Sequence, residues 1–188
     1  MNRIAIFASG SGTNAENIIK YFANSQSIKV DLVFSNNPNA QVLERANKFN
    51  IETFVFNRSQ FYESEIVLKM LVNKSIDNIV LAGFLWLMPN NLIDNYKTKI
   101  INIHPALLPK YGGKGMYGMK VHESVILNKE VESGITIHDV NEHYDQGKII
   151  FQAKFKIEPN ETPESLANKV HALEYEHFPG IIEKWITK

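Results

Sequence analysis

Arg3-Ile4-Ala5-Ile6-Phe7-Ala8-Ser9-Gly10-Ser11-Gly12-Thr13-Asn14-Ala15 opens the chain with a short apolar run, a glycine turn and the start of an amphipathic segment. A run of branched and aromatic residues cut off at once by small polar ones reads as a buried strand, Arg3–Ala8. It is too short for a signal-peptide core or a membrane span. Ile18, Ile19 and Phe22 then recur at helical spacing, which predicts a helix over Asn14–Ala23. Strand, tight turn and helix make the first unit of a βα repeat, and the rest of the chain repeats that alternation.

Further strands are predicted at Val30–Phe34, Glu52–Val55, Asn78–Leu81 and Ile100–Ile103, each bounded by Gly, Pro, Asn or a polar cluster. Helices fit between them at Ala40–Phe49, Gln60–Lys74 and Asn90–Asn95, the last entered through Pro89. The segment Leu85–Met88 reads as an apolar continuation of a strand. Gly112–Gly118 is the one glycine-dense interior stretch and reads as a mobile loop; no element is assigned between it and Gly134. Beyond residue 130, Gly134–Val140 and Lys148–Ile157 are predicted as two strands at an antiparallel or mixed edge. A closing helix begins at Thr162-Pro163-Glu164, a capping hydroxyl followed by proline at the first helical position. The expected architecture is α/β, a doubly wound, Rossmann-like and mostly parallel sheet with a mixed C-terminal edge, in one domain over residues 1–188.

Composition narrows the function classes. Twenty basic residues balance twenty acidic ones, so no global field points to nucleic acid or an anionic membrane. The absence of cysteine removes disulfides, thiolate ligands and a cysteine nucleophile, and fits a reducing compartment such as the cytoplasm. The remaining expectation is an enzyme for small molecules, with no metal and either a monomer or a homodimer.

Gly10-Ser11-Gly12-Thr13-Asn14-Ala15 has the spacing of a dinucleotide fingerprint. That fingerprint also requires an acid at the end of the second strand, where Ser35-Asn36-Asn37 stands instead; Asp31 lies at the wrong end of that strand. Without a Gly-Lys-Ser/Thr sequence a Walker site is excluded as well. A phosphomonoester held by backbone N–H groups is the better functional reading, and a tight turn with no ligand is the alternative.

Asn102 and His104 are two apart on a strand and share a face, with Pro105 ending the strand behind them. An amide and an imidazole there suit oxyanion stabilisation and proton transfer, although a strand-end histidine also serves purely structural ends. Asp145, in Tyr144-Asp145-Gln146-Gly147, either caps its own turn or reaches His104, in which case it is expected to raise the imidazole pKa. His138 sits opposite in parity to Ile135 and Ile137 and either approaches the same crevice or faces solvent. His122, His143, His171 and His177 show no metal-ligand spacing. Glu174 on the last helix reads as a solvated side chain.

Gly10-Ser11-Gly12-Thr13-Asn14, Leu81-Ala82-Gly83-Phe84, Asn102-Ile103-His104-Pro105-Ala106-Leu107-Leu108-Pro109-Lys110-Tyr111 and Asp145-Gln146-Gly147 occur in the order found in folate-dependent formyltransferases. The chain resembles that family over nearly its whole length, and within it the short members whose acceptor is glycinamide ribonucleotide. The resemblance implies a formyltransferase fold and direct transfer from 10-formyltetrahydrofolate, with Asn102, His104 and Asp145 catalytic. It further implies that Gly12, Thr13 and Asn14 hold the phosphate and Glu174 the ribose, with Lys110 a further anionic contact. Leu85, Trp86, Leu87 and Met88, with Asn102 and Tyr144, would line the folate side, and His138 would support the centre. Many resembling proteins carry arginine where Trp86 stands, and Arg58 is the arginine nearest Gln60, so the folate tail is expected to be held differently here. The Gly112–Gly118 loop is also more glycine-rich than the usual form. Resembling enzymes that formylate methionyl-tRNA or hydrolyse the donor carry an added domain, for which Arg3–Lys188 is expected to leave no room. A non-catalytic binding module of the same fold would need neither His104 nor Asp145.

Overall fold

A computed structural model describes residues 1–188. In chain order the elements are β1 Asn2–Phe7, α1 Thr13–Phe22, β2 Ile28–Ser35, α2 Gln41–Lys48, β3 Glu52–Val55, α3 Arg58–Tyr62 and α4 Ile66–Asn73. They continue with β4 Asn78–Leu81, α5 Asn90–Asn95, β5 Ile100–His104, α6 Met119–Leu127, β6 Glu132–Asp139, β7 Ile149–Lys156 and α7 Pro163–Ile186. One seven-stranded sheet runs β3-β2-β1-β4-β5-β6-β7. β1 to β5 pair in parallel, while β6 runs antiparallel to β5 and β7 antiparallel to β6. This is the doubly wound, mostly parallel sheet with a mixed edge that the βα alternation predicts.

Strand parity sorts the core into two layers. Ile4, Ile6, Val33, Ile101, Ile103, Ile135 and Ile137 pack under α1, α2 and α7, whereas Ala5, Phe7, Leu32, Phe34, Ile79 and Leu81 pack under α3, α4 and α5. Burial on both faces explains why β1 reads as an unbroken apolar run rather than an alternating one. The chain leaves β1 in one direction along the sheet and β4 in the other, so a crevice opens at the carboxyl ends of these two strands. There the Ser9 N–H donates to the Gly83 carbonyl at 3.0 Å and the Leu85 N–H to Ser9 Oγ at 3.0 Å, tying the two loops together.

Three expectations need correction. The predicted helix Gln60–Lys74 is two helices, because an Asn57/Gln60 capping box starts α3 early and the chain breaks at Glu63–Glu65 before α4. Leu85–Met88 does not extend a strand: β4 ends at Leu81, and the segment is a loop with Leu85 exposed and Met88 buried in the second core layer. Met119–Leu127 forms α6, an element the apolar pattern does not announce because its buried face is Val121, His122 and Val125. A histidine fills a position where periodicity asks for an aliphatic side chain. The capping box of Thr162 and Ser165, with Pro163 behind it, starts α7 where the sequence signal puts it.

Candidate active site

The crevice is a cavity of about 440 Å³ lined by the loops that follow β1, β4, β5 and β6 and by residues of α6 and α7, among them Gly12, Asn14, Leu85, Asn102, His104, His122, Tyr144, Asp145 and Glu174. Its two ends have different chemistry.

At one end α1 points its first turn into the cavity. Gly12 stands at the N-cap with φ 72°, and no side chain caps the turn, which leaves the helix N–H groups free for an anion. The left-handed φ excludes most side chains, and a Cβ on Gly12 would also lie 2.4 Å from Val42 Cβ of α2. The turn and the anion readings of this loop therefore coexist: close packing against α2 shapes the backbone whose N–H groups are exposed. Glu174 is buried at this end, not solvated as its helical position suggests; its Oε2 accepts from Asn14 Nδ2 at 2.8 Å and from His171 Nδ1 at 2.9 Å. Hydrogen bonding to Glu174 raises the His171 pKa.

At the other end the antiparallel β5/β6 pair sets Asn102 opposite His138, with His104 two residues on. His138 Nδ1 donates to the Asp139 carbonyl at 2.7 Å, which leaves Nε2 to accept from Asn102 Nδ2 at 3.1 Å. The second N–H of that amide remains for a ligand. Asp145 arrives from the β6–β7 connection with φ 56°, its Oδ2 accepting from the Gly113 N–H at 2.9 Å. Oδ2 lies 3.6 Å from His104 Nδ1, and Oδ1 lies 3.6 Å from His138 Nε2, so one carboxylate faces two imidazoles. Gly147 makes the turn possible, since a Cβ there would meet the Asp139 carbonyl oxygen at 1.6 Å.

His104 Nε2 donates to the Tyr111 carbonyl at 2.7 Å, which fixes the tautomer and leaves Nδ1, facing Asp145, as the nitrogen that exchanges protons. Tyr111 takes φ 56° to aim that carbonyl, and no sequence signal marks it. The expectation that Asp145 raises the His104 pKa holds only as a partial effect. Burial lowers it more strongly, Asp145 and then the Tyr111 carbonyl pull it back, and the net pKa lies below the ordinary histidine value. Burial pushes the Asp145 carboxyl up, but His138 and His104 outweigh it and hold the pKa below the carboxylate range.

The remaining predicted residues divide. Tyr144 lines the cavity beside Asp145, and Leu85 forms its wall. Trp86 packs instead against Phe61 and Tyr62, with the Arg58 guanidinium 5.7 Å over its ring. The Leu87 carbonyl accepts from the Tyr62 hydroxyl at 3.0 Å, and Met88 is core. Lys110 pairs with Glu130 on the surface. His122, which spacing gave no role, lines the cavity. Its discovery needed the fold, because only α6 brings it there. No helix is long and apolar enough to cross a membrane.

A family model described as formyl transferase matches residues 2–182. Phosphoribosylglycinamide formyltransferase of Bacillus subtilis is 33% identical over 190 residues, covering 98% of this chain and 94% of its own. The chloroplastic phosphoribosylglycinamide formyltransferase of Arabidopsis thaliana is 38% identical over 187 residues, and the chain, 96% covered, spans 64% of that protein's length. A crystal structure of the Bacillus halodurans phosphoribosylglycinamide formyltransferase superposes with a TM-score of 0.89 at 37% identity, covering 100% of this chain and 96% of the other. With its fold, its cavity and its sequence in agreement, the chain belongs to the formyl transferase family.

Proposed function

We propose that residues 1–188 act as one formyltransferase domain that moves the formyl group of 10-formyltetrahydrofolate to the amine of glycinamide ribonucleotide, a step of purine biosynthesis. The observation that carries this reading is the polarity of the cavity. A helix N-terminus suited to a phosphate lies at one end, and Asp145 facing His104 and His138 lies at the other.

The acceptor phosphate sits on the N–H groups after Gly12, with Thr13 and Asn14 beside it, and Glu174 takes the ribose hydroxyls. This directs the glycyl amine towards Asn102 and His104. The amine nitrogen attacks the formyl carbon, a C–N bond forms and the carbonyl electron pair moves onto oxygen. Asn102, locked by His138, donates its free N–H to that oxyanion. His104 Nδ1 takes up the proton lost by the attacking amine, and Asp145 stabilises the imidazolium. Collapse reforms the carbonyl and breaks the bond to the folate nitrogen, which receives the proton from His104. Atoms and charge balance without ATP and without a covalent enzyme intermediate. Leu85, Tyr144 and main-chain groups of the Leu85–Met88 loop offer the folate ring an apolar wall and hydrogen bonds.

Purified protein mixed with 10-formyltetrahydrofolate is expected to yield formylated glycinamide ribonucleotide, with no product on a sugar nucleotide or on tRNA and no donor hydrolysis by water. Product on another acceptor, with none on glycinamide ribonucleotide, would overturn the substrate assignment.

A further inference from the structure

His122 is the buried titratable group of the cavity wall that the mechanism leaves unused. It is 2% exposed, it belongs to the cavity wall, and its imidazole makes no hydrogen bond within the protein, Nδ1 being buried without a partner. Buried polar atoms are almost always paired, so an orphan in the wall of a ligand cavity asks for its partner from the ligand.

Its place between the two ends of the cavity says which part of a ligand. α6 packs on α7, and the charges acting on His122 are those of His171 and Glu174, at the sugar-phosphate end, and of His104, at the reacting end. An acceptor stretched from the α1 N-terminus to His104 carries, in order, phosphate, ribose, an amide and a terminal amine. The amide is the portion between the ribose and the amine, and it has one N–H donor and one carbonyl acceptor. Burial lowers the His122 pKa and so favours the uncharged ring, which likewise offers one donor and one acceptor.

Resting on the acceptor assigned above, we propose that the His122 imidazole hydrogen-bonds the amide joining the ribose to the glycyl amine. This makes His122 a specificity-determining residue for the acceptor. It anchors the middle of the substrate, so that the amine reaches the formyl carbon in register with Asn102 and His104. A sugar phosphate lacking the amide leaves the nitrogen unpaired, which is the way a polar site rejects an analogue that cannot complete its hydrogen bonds.

The test compares His122→Phe and His122→Gln with the unaltered protein, using glycinamide ribonucleotide as acceptor and ribose 5-phosphate as a competing ligand. His122→Phe is expected to raise the acceptor KM about tenfold or more, while the KM for 10-formyltetrahydrofolate and the inhibition by ribose 5-phosphate stay put. His122→Gln, which keeps a donor and an acceptor, restores most of the loss. An unchanged acceptor KM in His122→Phe, or an equal loss of ribose 5-phosphate affinity, overturns the assignment. Should the Phe variant fail to fold, the imidazole ¹⁵N resonance of His122 in the unaltered protein decides. It is expected to move on adding glycinamide ribonucleotide but not ribose 5-phosphate, and a resonance unmoved by both overturns the proposal. Failure of the unaltered protein to formylate glycinamide ribonucleotide instead defeats the acceptor reading itself.

Discussion

The two ends of the cavity are built in opposite ways. The phosphate site at the α1 end is made from backbone within one stretch of chain, Gly10 to Asn14, whose shape follows from a positive φ at Gly12 and its contact with Val42. The β5/β6 end is made from side chains gathered from Asn102, His104, His138 and Asp145, and each depends on another for its orientation. A backbone anion site tolerates changes of side chain but not of local conformation. A side-chain cluster tolerates local adjustment but not the loss of one member. The first end binds, the second reacts, and substitutions are expected to divide along that line.

The largest effects belong to the reacting end. His104→Ala and Asp145→Asn are each expected to cost at least roughly 10²-fold in kcat, with little change in the KM for the acceptor. Steady-state kinetics with both substrates checks this, and wild-type turnover in both variants would reduce the cluster to a structural role.

At the binding end, Gly12→Ala forces a Cβ into Val42 at a left-handed φ. It is expected to raise the acceptor KM by about tenfold or more while leaving the KM for the folate donor unchanged. A loss shared equally by both substrates would show that the loop supports the whole crevice rather than the phosphate alone.

A smaller effect separates the ends by pH. Because burial lowers the His104 pKa, the acid limb of kcat/KM is expected below the ordinary histidine value of about 6.5. Asp145 works against that shift, so Asp145→Asn should move the limb further to the acid side. The sign for stability is the same. The folded pKa values of His104 and His122 both lie below the unfolded one, so their unprotonated forms cost nothing above pH about 6.5. Stability is then lost as pH falls from there through the folded values. His171 acts oppositely, since its raised pKa contributes stability on the acid side that disappears as pH rises through the folded value. A limb above the ordinary histidine value would contradict the burial account of His104.

The same contrast explains what could be read from the sequence. The bounds of β3, β4 and α5, and the start of α7 at Thr162 and Pro163, follow from local turn and capping chemistry and agree with the structure. The glycine loop was legible for the same reason. Asn102 and His104 share a face by strand parity, but the approach of Asp145 rests on an antiparallel edge and a turn more than 40 residues away, as the 3.6 Å contact across that separation makes plain. Parity and spacing carry no such distance: they leave the contact as one of two readings of Asp145, and the resemblance to known formyltransferases is what favours it. His122 and Tyr111 were invisible for a related reason. One sits on a helix whose apolar stripe it interrupts, and the other acts through its carbonyl rather than its side chain. Glu174 misled because helical position alone says nothing about the Asn14 and His171 partners that allow its burial.

The central claim is that His104 and Asp145 work as one proton-transfer unit. Single-turnover formyl transfer, with both substrates saturating, measures it in the unaltered protein, His104→Ala, Asp145→Asn and the double variant. The account predicts that the double variant is no slower than the more damaged single variant, within about threefold. Rate losses that multiply in the double variant would mean two independent contributions and would contradict the shared unit.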